Sequence, residues 1–212
     1  TEYRRSEMEL KADQRTPEWY DARLGRATAS KFNVIMSGTK YAQYKNYVAE
    51  VVSERMTGTS PENYVSKEMQ HGIDFEATAR LKYELTTGNE AIECGFFQHT
   101  TMMAGASPDG LVGDDGVLEI KCPNTATHLL TLHTQTIPKQ YYWQVVGQMW
   151  VTNRKWCDFI SFDPRLPANA QLFITRIQRH EPDIEALTSA VDLFLGEVDH
   201  EENFVKSYTK GV

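Results

Sequence analysis

The apolar positions of this chain change period along its length, and the changes mark out its elements. Thr16-Pro17-Glu18 reads as a helix start, with Thr16 as N-cap and Pro17 in the first turn. That helix is expected to run to Leu24 and stop at Gly25. Ser30 is placed to cap a second, short helix through Met36. Tyr44, Tyr47, Val48, Val51 and Val52 recur at helical spacing, which predicts a helix over Tyr41 to Met56 and then a loop at Gly58 to Pro61. His71 to Thr87 reads as a long helix ending at Gly88.

The period then shortens. Ala91 to His99 and Met102 to Gly105 read as strands. Asp114-Asp115-Gly116 is a turn between Gly110-Leu111-Val112 and Val117-Leu118-Glu119-Ile120-Lys121, so these pair as a hairpin. Pro138 opens a helix through Val151, Trp156 to Phe162 and Leu172 to Gln178 are strands, and an amphipathic helix runs from near Pro182 to about Leu195. The order implies an α/β fold, a central mixed sheet flanked by helices. No repeat or low-complexity linker divides residues 1–212, which are expected to form one domain, with residues 1–15 loosely held.

Composition narrows the class. With 212 residues, 41% of them hydrophobic, the chain is long enough to bury a core without staples. Cys94, Cys122 and Cys157 are scattered and form no CxxC pair, so neither a disulfide framework nor a zinc site is expected. No segment reaches the roughly 18 consecutive apolar residues of a membrane span, so the expectation is a cytoplasmic protein with no membrane partner. The net charge of −7 argues against broad coating of nucleic acid. It leaves room for a local channel, because a divalent ion reverses the charge of a carboxylate site.

The chemistry concentrates in Ser107-Pro108-Asp109-Gly110 and Glu119-Ile120-Lys121-Cys122-Pro123. Side chains alternate along a strand, so Glu119 and Lys121 share one face while Leu118 and Ile120 take the other. A hairpin brings Asp109 beside Glu119. Two carboxylates offer the hard oxygen donors that Mg²⁺ requires, and Lys121 beside them can orient or help deprotonate a water for attack on a phosphodiester. A bare Glu-x-Lys is also a common surface pair; the turn, the apolar strand and the Cys-Pro that follows make this occurrence more specific.

Five blocks of the chain, in one order from about Glu18 to Asp163, resemble the phage lambda exonuclease family, also called the YqaJ-type viral recombinase or alkaline exonuclease family of the PD-(D/E)XK nucleases. They are Glu18-Trp19-Tyr20-Asp21-Ala22-Arg23-Leu24-Gly25 with Thr28-Ala29-Ser30; His71-Gly72-Ile73-Asp74-Phe75-Glu76; Ser107-Pro108-Asp109-Gly110; Glu119-Ile120-Lys121-Cys122-Pro123; and Gln144-Val145-Val146-Gly147-Gln148-Met149-Trp150-Val151-Thr152. The resemblance implies a restriction-endonuclease-like core. It implies a Mg²⁺-dependent nuclease, with Mn²⁺ a possible substitute, that digests one strand of linear double-stranded DNA 5′→3′ to mononucleotides and leaves a 3′ tail. It also implies a homotrimeric ring and a single-strand annealing protein as partner.

The same resemblance implies residue roles. Asp109, Glu119 and the Ile120 carbonyl become metal ligands, with Glu76 completing the set; on its own, Glu76 reads more readily as an exposed i,i+4 partner of Arg80. Lys121 positions the water, Gln144 bonds water or phosphate, and Gln148 packs or hydrogen-bonds along the helix. Arg23, Ser30 and Ser107 match positions that grip a terminal phosphate. Trp19 supports the DNA-entry loop or is simply buried, and Met69 either wedges apart the duplex end or packs in the core. Tyr141, Tyr142, Trp143 and Trp150 lie on one helical stretch and read as core or subunit interface. The pattern departs at one place: the family carries an arginine shortly after Cys-Pro, where this chain has Thr127 and His128. Two alternatives stay open, another PD-(D/E)XK repair nuclease and a catalytically inert DNA-end-binding scaffold. An iron–sulfur variant would need four thiolates, and the chain has three.

Overall fold

The computed structural model describes residues 9–10, 12–60 and 67–208. Its helices are α1 (Pro17–Arg23), α2 (Phe32–Ser37), α3 (Ala42–Thr57), α4 (Lys67–Thr87), α5 (Thr125–Thr134), α6 (Lys139–Thr152) and α7 (Glu181–Ser207). Its strands are β1 (Glu9–Leu10), β2 (Ala27–Thr28), β3 (Ala91–Ile92), β4 (Phe96–Gln98), β5 (Ala104–Ala106), β6 (Gly110–Val112), β7 (Gly116–Lys121), β8 (Trp156–Phe162) and β9 (Leu172–Gln178). Two sheets form, in the orders β1-β4-β5-β2 and β3-β6-β7-β8-β9. The larger sheet is mixed: β7 pairs antiparallel with β6 and parallel with β8. The expected α/β architecture is present.

Local rules account for much of this. Thr16 caps α1 by accepting from the Trp19 amide, Pro17 opens the helix, and Gly25 takes the left-handed backbone at φ +70°. The β6–β7 hairpin registers Gly110 with Leu118 and Val112 with Gly116. Both faces of the larger sheet are covered. Leu118 and Ile120 pack with Ala79, Tyr83 and Phe162 on the α4 side. Val117, Cys157 and Phe159 pack with Val145 and Met149 of α6 on the other.

Several expectations are corrected. Ser30 does not cap α2; it lies inside a 3₁₀ turn over Ala29–Lys31, and the N-cap position falls to Lys31 with no side-chain bond. The expected strand over Ala91 to His99 breaks into β3 and β4, because the chain leaves one sheet for the other at Cys94-Gly95. α4 starts four residues before His71, on Lys67-Glu68-Met69-Gln70, all good helix formers. α5 was not foreseen; Asn124 caps it by accepting from the Thr127 amide at 2.9 Å. α7 continues well past Leu195 because Arg55 of α3 reaches Asp199 and Glu202. Of residues 1–15, the structure describes 9–10 and 12–15. β1 pairs with β4, and Gln14 Nε2 donates to the Pro108 carbonyl at 2.9 Å.

α6 runs close under α2. A Cβ on Gly147 would lie 2.2 Å from the fully buried Phe32 ring. Gly147→Ala should therefore destabilise the protein by about 1–3 kcal/mol, as overpacking does. Gly196 sits in α7 with open space around it. Gly196→Ala should be neutral or stabilise by up to about 1 kcal/mol through helix propensity. Urea unfolding of both variants checks the pair; equal effects would mean that α6 has room to shift.

Candidate active site

The hairpin juxtaposes two carboxylates. The Asp109 amide donates to the Leu118 carbonyl at 3.0 Å, extending the β6–β7 ladder by one rung. Asp109 Oδ2 then accepts the Ile120 amide at 2.7 Å, which turns its side chain toward β7. Arg80 of α4 donates to the main-chain carbonyl of Asp109 and so holds the start of the hairpin from behind.

Glu119 projects from β7 toward α6 and is 1% exposed. A buried carboxylate is costly unless it is fully hydrogen-bonded. Here Lys121 Nζ lies 2.5 Å from Oε1, Gln144 Nε2 donates to Oε1 at 2.6 Å, and Gln148 Nε2 donates to Oε2. The Lys121 ammonium also sits 5.1 Å over the Tyr141 ring. Tyr141, Gln144 and Gln148 thus form one face of α6, at i, i+3 and i+7, turned to the functional strand. The i+3, i+4 spacing was the available signal for Gln148 and Tyr141, which the sequence alone left as a packing or helix-bonded residue and as core or subunit interface. Trp150 is core as expected, packed near Phe32 and His99.

Charge in the site is unbalanced. Burial pushes the Asp109 carboxyl well above its ordinary value, and Glu119 and Glu76 push it further. Burial works against the Lys121 ammonium, but Glu119 and Asp109 outweigh it and raise its pKa. Lys121 Nζ thus stands as a hydrogen-bond donor to Glu119. Glu76 stands near enough to affect Asp109, yet its oxygens are held by Arg80 at 3.2 Å and Arg15 at 3.3 Å. The i,i+4 pair with Arg80 is thus present alongside its proximity to the site. Among the described residues no three Asp, Glu, His or Cys side chains converge as a metal cluster. The donors at hand are the two carboxylates, with the Ile120 carbonyl next to them in sequence. Each carboxylate offers about four acceptor positions, and the bonds above leave some free on both. Hard oxygen donors crowded by mutual repulsion fit a divalent cation.

A second cluster lies at the common end of β2 and β5. These strands are parallel, with Thr28 opposite Gly105, so Ser30 and Ser107 each follow two residues beyond the paired end. Trp19 Nε1 donates to Ser107 Oγ at 2.9 Å, and the Arg23 guanidinium lies 4.1 Å over the Trp19 ring. Arg23 makes no ion pair among the described residues, and burial lowers its pKa. Tyr47 and Glu54 oppose that shift, and a guanidinium in this setting can receive an anion by charge-assisted hydrogen bonds. Ser30 is exposed, its Oγ 3.4 Å from Thr28 Oγ1. Trp19 is buried, one of its two expected readings, and it contacts both Arg23 and Ser107. The Met69 side chain lies outside the described residues. His128, at the place where the pattern departs, is fully buried; its ring nitrogens bond Ser161 Oγ at 2.7 Å and the Ala170 carbonyl at 2.8 Å. It is a packing residue of α5, not a phosphate contact.

Fold and site together define the class, a nuclease on a restriction-endonuclease-like core. The chain belongs to the YqaJ-like viral recombinase domain family, whose model matches residues 18–155. It is similar to an alkaline exonuclease, LHK-Exo, from Laribacter hongkongensis: 44% identity, 90% of this chain and 96% of that one covered, TM-score 0.85. That exonuclease has also been solved in complex with dAMP. A phage-related exonuclease from Haemophilus somnus 129PT shares the fold at 14% identity, with 85% and 96% of the chains covered and a TM-score of 0.71. An uncharacterized protein of Acanthamoeba polyphaga mimivirus is 25% identical over 163 residues, 70% of this chain. The match spans 29% of that protein's length.

The raised Asp109 pKa has a consequence for the metal-free protein. A carboxyl whose folded value exceeds its unfolded value, about 3.9, favours the folded state when protonated and costs stability as pH rises through the folded value. Asp109→Asn keeps an acceptor for the Ile120 amide and removes the charge. It should stabilise the protein in EDTA at about pH 7.5, with the gain shrinking as the pH falls toward about 4, where the unfolded-state carboxyl begins to take up its proton as well. Denaturant midpoints at the two pH values check this; a pH-independent difference would remove the charge explanation.

Proposed function

We propose that this protein is a Mg²⁺-dependent 5′→3′ exonuclease that digests one strand of linear double-stranded DNA to mononucleotides. The observation that carries the proposal is the pairing of Asp109 with the buried Glu119–Lys121 strand, in a chain 44% identical to an alkaline exonuclease. Asp109, Glu119 and the Ile120 carbonyl would hold Mg²⁺, or Mn²⁺ in its place; Glu76 would join them only by giving up an arginine. When bound, the ion supplies neutralising charge at the phosphate and acidifies water. Lys121 donates a hydrogen bond that orients the attacking water and offsets charge developing on the phosphate. Gln144, half-buried at the mouth of the site, shares its amide between Glu119 and the incoming water or phosphate.

The 5′ polarity is supported by the second cluster. Arg23, Ser30 and Ser107 would grip the terminal phosphate, with Trp19 as the platform beneath Arg23. Ser107 and Asp109 are two residues apart, which puts their Cα atoms on the order of 7 Å from one another at full extension. A grip that close to the metal ligands suits removal of one nucleotide at a time. In the family reading the product is a 3′ single-stranded tail, made in the cytoplasm of a bacterial or phage-infected cell. The chain would work as a homotrimeric ring and hand the tail to a single-strand annealing protein. Light scattering should then give about three times the monomer mass, and an annealing protein should speed the joining of the tails.

A linear duplex labelled at the 5′ or the 3′ end, incubated with and without Mg²⁺, tests the activity. Release of labelled mononucleotide from the 5′ end is expected; internal cuts would point to a repair endonuclease, and no cleavage to an end-binding scaffold. Asp109→Ala and Glu119→Ala should each abolish cleavage. Lys121→Ala should lower the single-turnover rate far more than DNA affinity, and a loss confined to affinity would make it only a binding residue.

The phosphate cluster predicts a substrate preference. A 5′-phosphorylated end should be digested faster than a 5′-hydroxyl end, and Arg23→Ala should shrink that ratio. Both substrates must be compared at matched salt, because phosphate contacts weaken as salt rises. An unchanged ratio would return Arg23 to the role of a residue closing α1.

A further inference from the structure

The geometry points to Gln148 as a positioning residue for Glu119, one that sets the affinity of the site for its metal ion without touching DNA. The inference rests on the reading of Glu119 as a metal ligand. Gln148 lies one turn beyond Gln144 on α6 and is 0% exposed. It is flanked along the helix by Val145 and Met149, which pack with Val117, Cys157 and Phe159 of the sheet. Substrate cannot reach a side chain sealed in this way, so any effect it has on the reaction passes through Glu119.

Its two polar atoms behave differently. Nε2 donates to Glu119 Oε2, while Oε1 is buried and accepts no hydrogen bond from the described residues. An apolar side chain of the same length would fill the space without stranding a carbonyl, so packing alone does not account for an amide here. Exchanging the amide N and O would set a carbonyl against a carboxylate, so Glu119 itself fixes the orientation. Gln144 and Lys121 hold Oε1, and Gln148 holds Oε2. A carboxylate held at both oxygens cannot rotate about its terminal bond. Its remaining lone pairs then keep one direction, the condition for binding an ion with strict geometry.

The test is calorimetric titration of Mn²⁺ into DNA-free protein, comparing wild type, Gln148→Met, Gln148→Asn and Glu119→Ala, with urea unfolding of each. Loss of an outer hydrogen bond to a ligand typically costs roughly ten- to a hundredfold in metal affinity. Both Gln148 variants are expected to weaken Mn²⁺ by that order, to bind duplex in EDTA like wild type, and to regain much of the cleavage rate at excess Mn²⁺. Mn²⁺ affinity within about twofold of wild type in a folded Gln148 variant would overturn the proposal. So would failure of both variants to fold, which would make Gln148 a determinant of the fold. If Glu119→Ala binds Mn²⁺ like wild type, the ligand reading of Glu119 fails, and this inference fails with it. A loss in Glu119→Ala with none in the Gln148 variants overturns the positioning role alone.

Discussion

The burial of one charge organises this molecule. Glu119 sits in the middle of a strand covered on both faces, where an ionised carboxylate would be intolerable without partners. Lys121, two residues along on the same face, supplies a counter-charge, and α6 supplies two amides. Those amides reach only because α6 lies against the sheet, and α6 lies there because Gly147 lets Phe32 press on it from α2. The packing of three elements is thus a condition of the polar chemistry. The cost of an unsatisfied Glu119 is in turn a reason for α6 to stay where it is.

The same logic links the two halves of the site. Ser107-Pro108-Asp109 leads from the Trp19–Arg23 cluster to the carboxylate pair, and its middle carbonyl is bonded by Gln14 Nε2 at 2.9 Å and by Cys94 Sγ at 3.2 Å. Arg80 pins the carbonyl of the next residue, Asp109, while it pairs with Glu76. The spacing between the Trp19–Arg23 cluster and the carboxylate pair is therefore set by a short connecting segment whose carbonyls are tied down by Gln14, Cys94 and Arg80. Asp109 is left with a charge that its neighbours oppose. A buried carboxyl opposed by like charges costs stability, and the rest of the core must offset that cost.

The hairpin and its charged face were legible because each rests on local rules. An Asp-Gly turn fixes the pairing, and strand alternation sorts Leu118 and Ile120 from Glu119 and Lys121. The bounds of β8 and β9 emerged from alternation and apolar content in the same way. The readings that failed had a non-local cause. Ser30 follows a good capping pattern, but the parallel pairing of β2 with β5 draws its segment into a 3₁₀ turn. The surroundings of His128, for which the sequence offered no reading, were out of reach for the same reason: Ser161 and Ala170 bond its ring from elements more than thirty residues away. α7 outlasts its apolar face because charges on α3 hold its last turns.

By itself, then, the sequence determined the strand that carries Glu119 and Lys121, its turn, and the placing of Asp109 beside it, since turn chemistry and side-chain period act over a few residues. It also displayed Gln144 and Gln148 four residues apart, without saying what they face. Only the tertiary structure decided that both amides converge on one carboxylate, that Glu76 is divided between two arginines, and that Trp19 joins Arg23 to Ser107. The physical reason is the range of the interactions. A hydrogen bond between α6 and β7 depends on where two packed elements come to rest, and that position is set by the whole core rather than by the residues that make the bond.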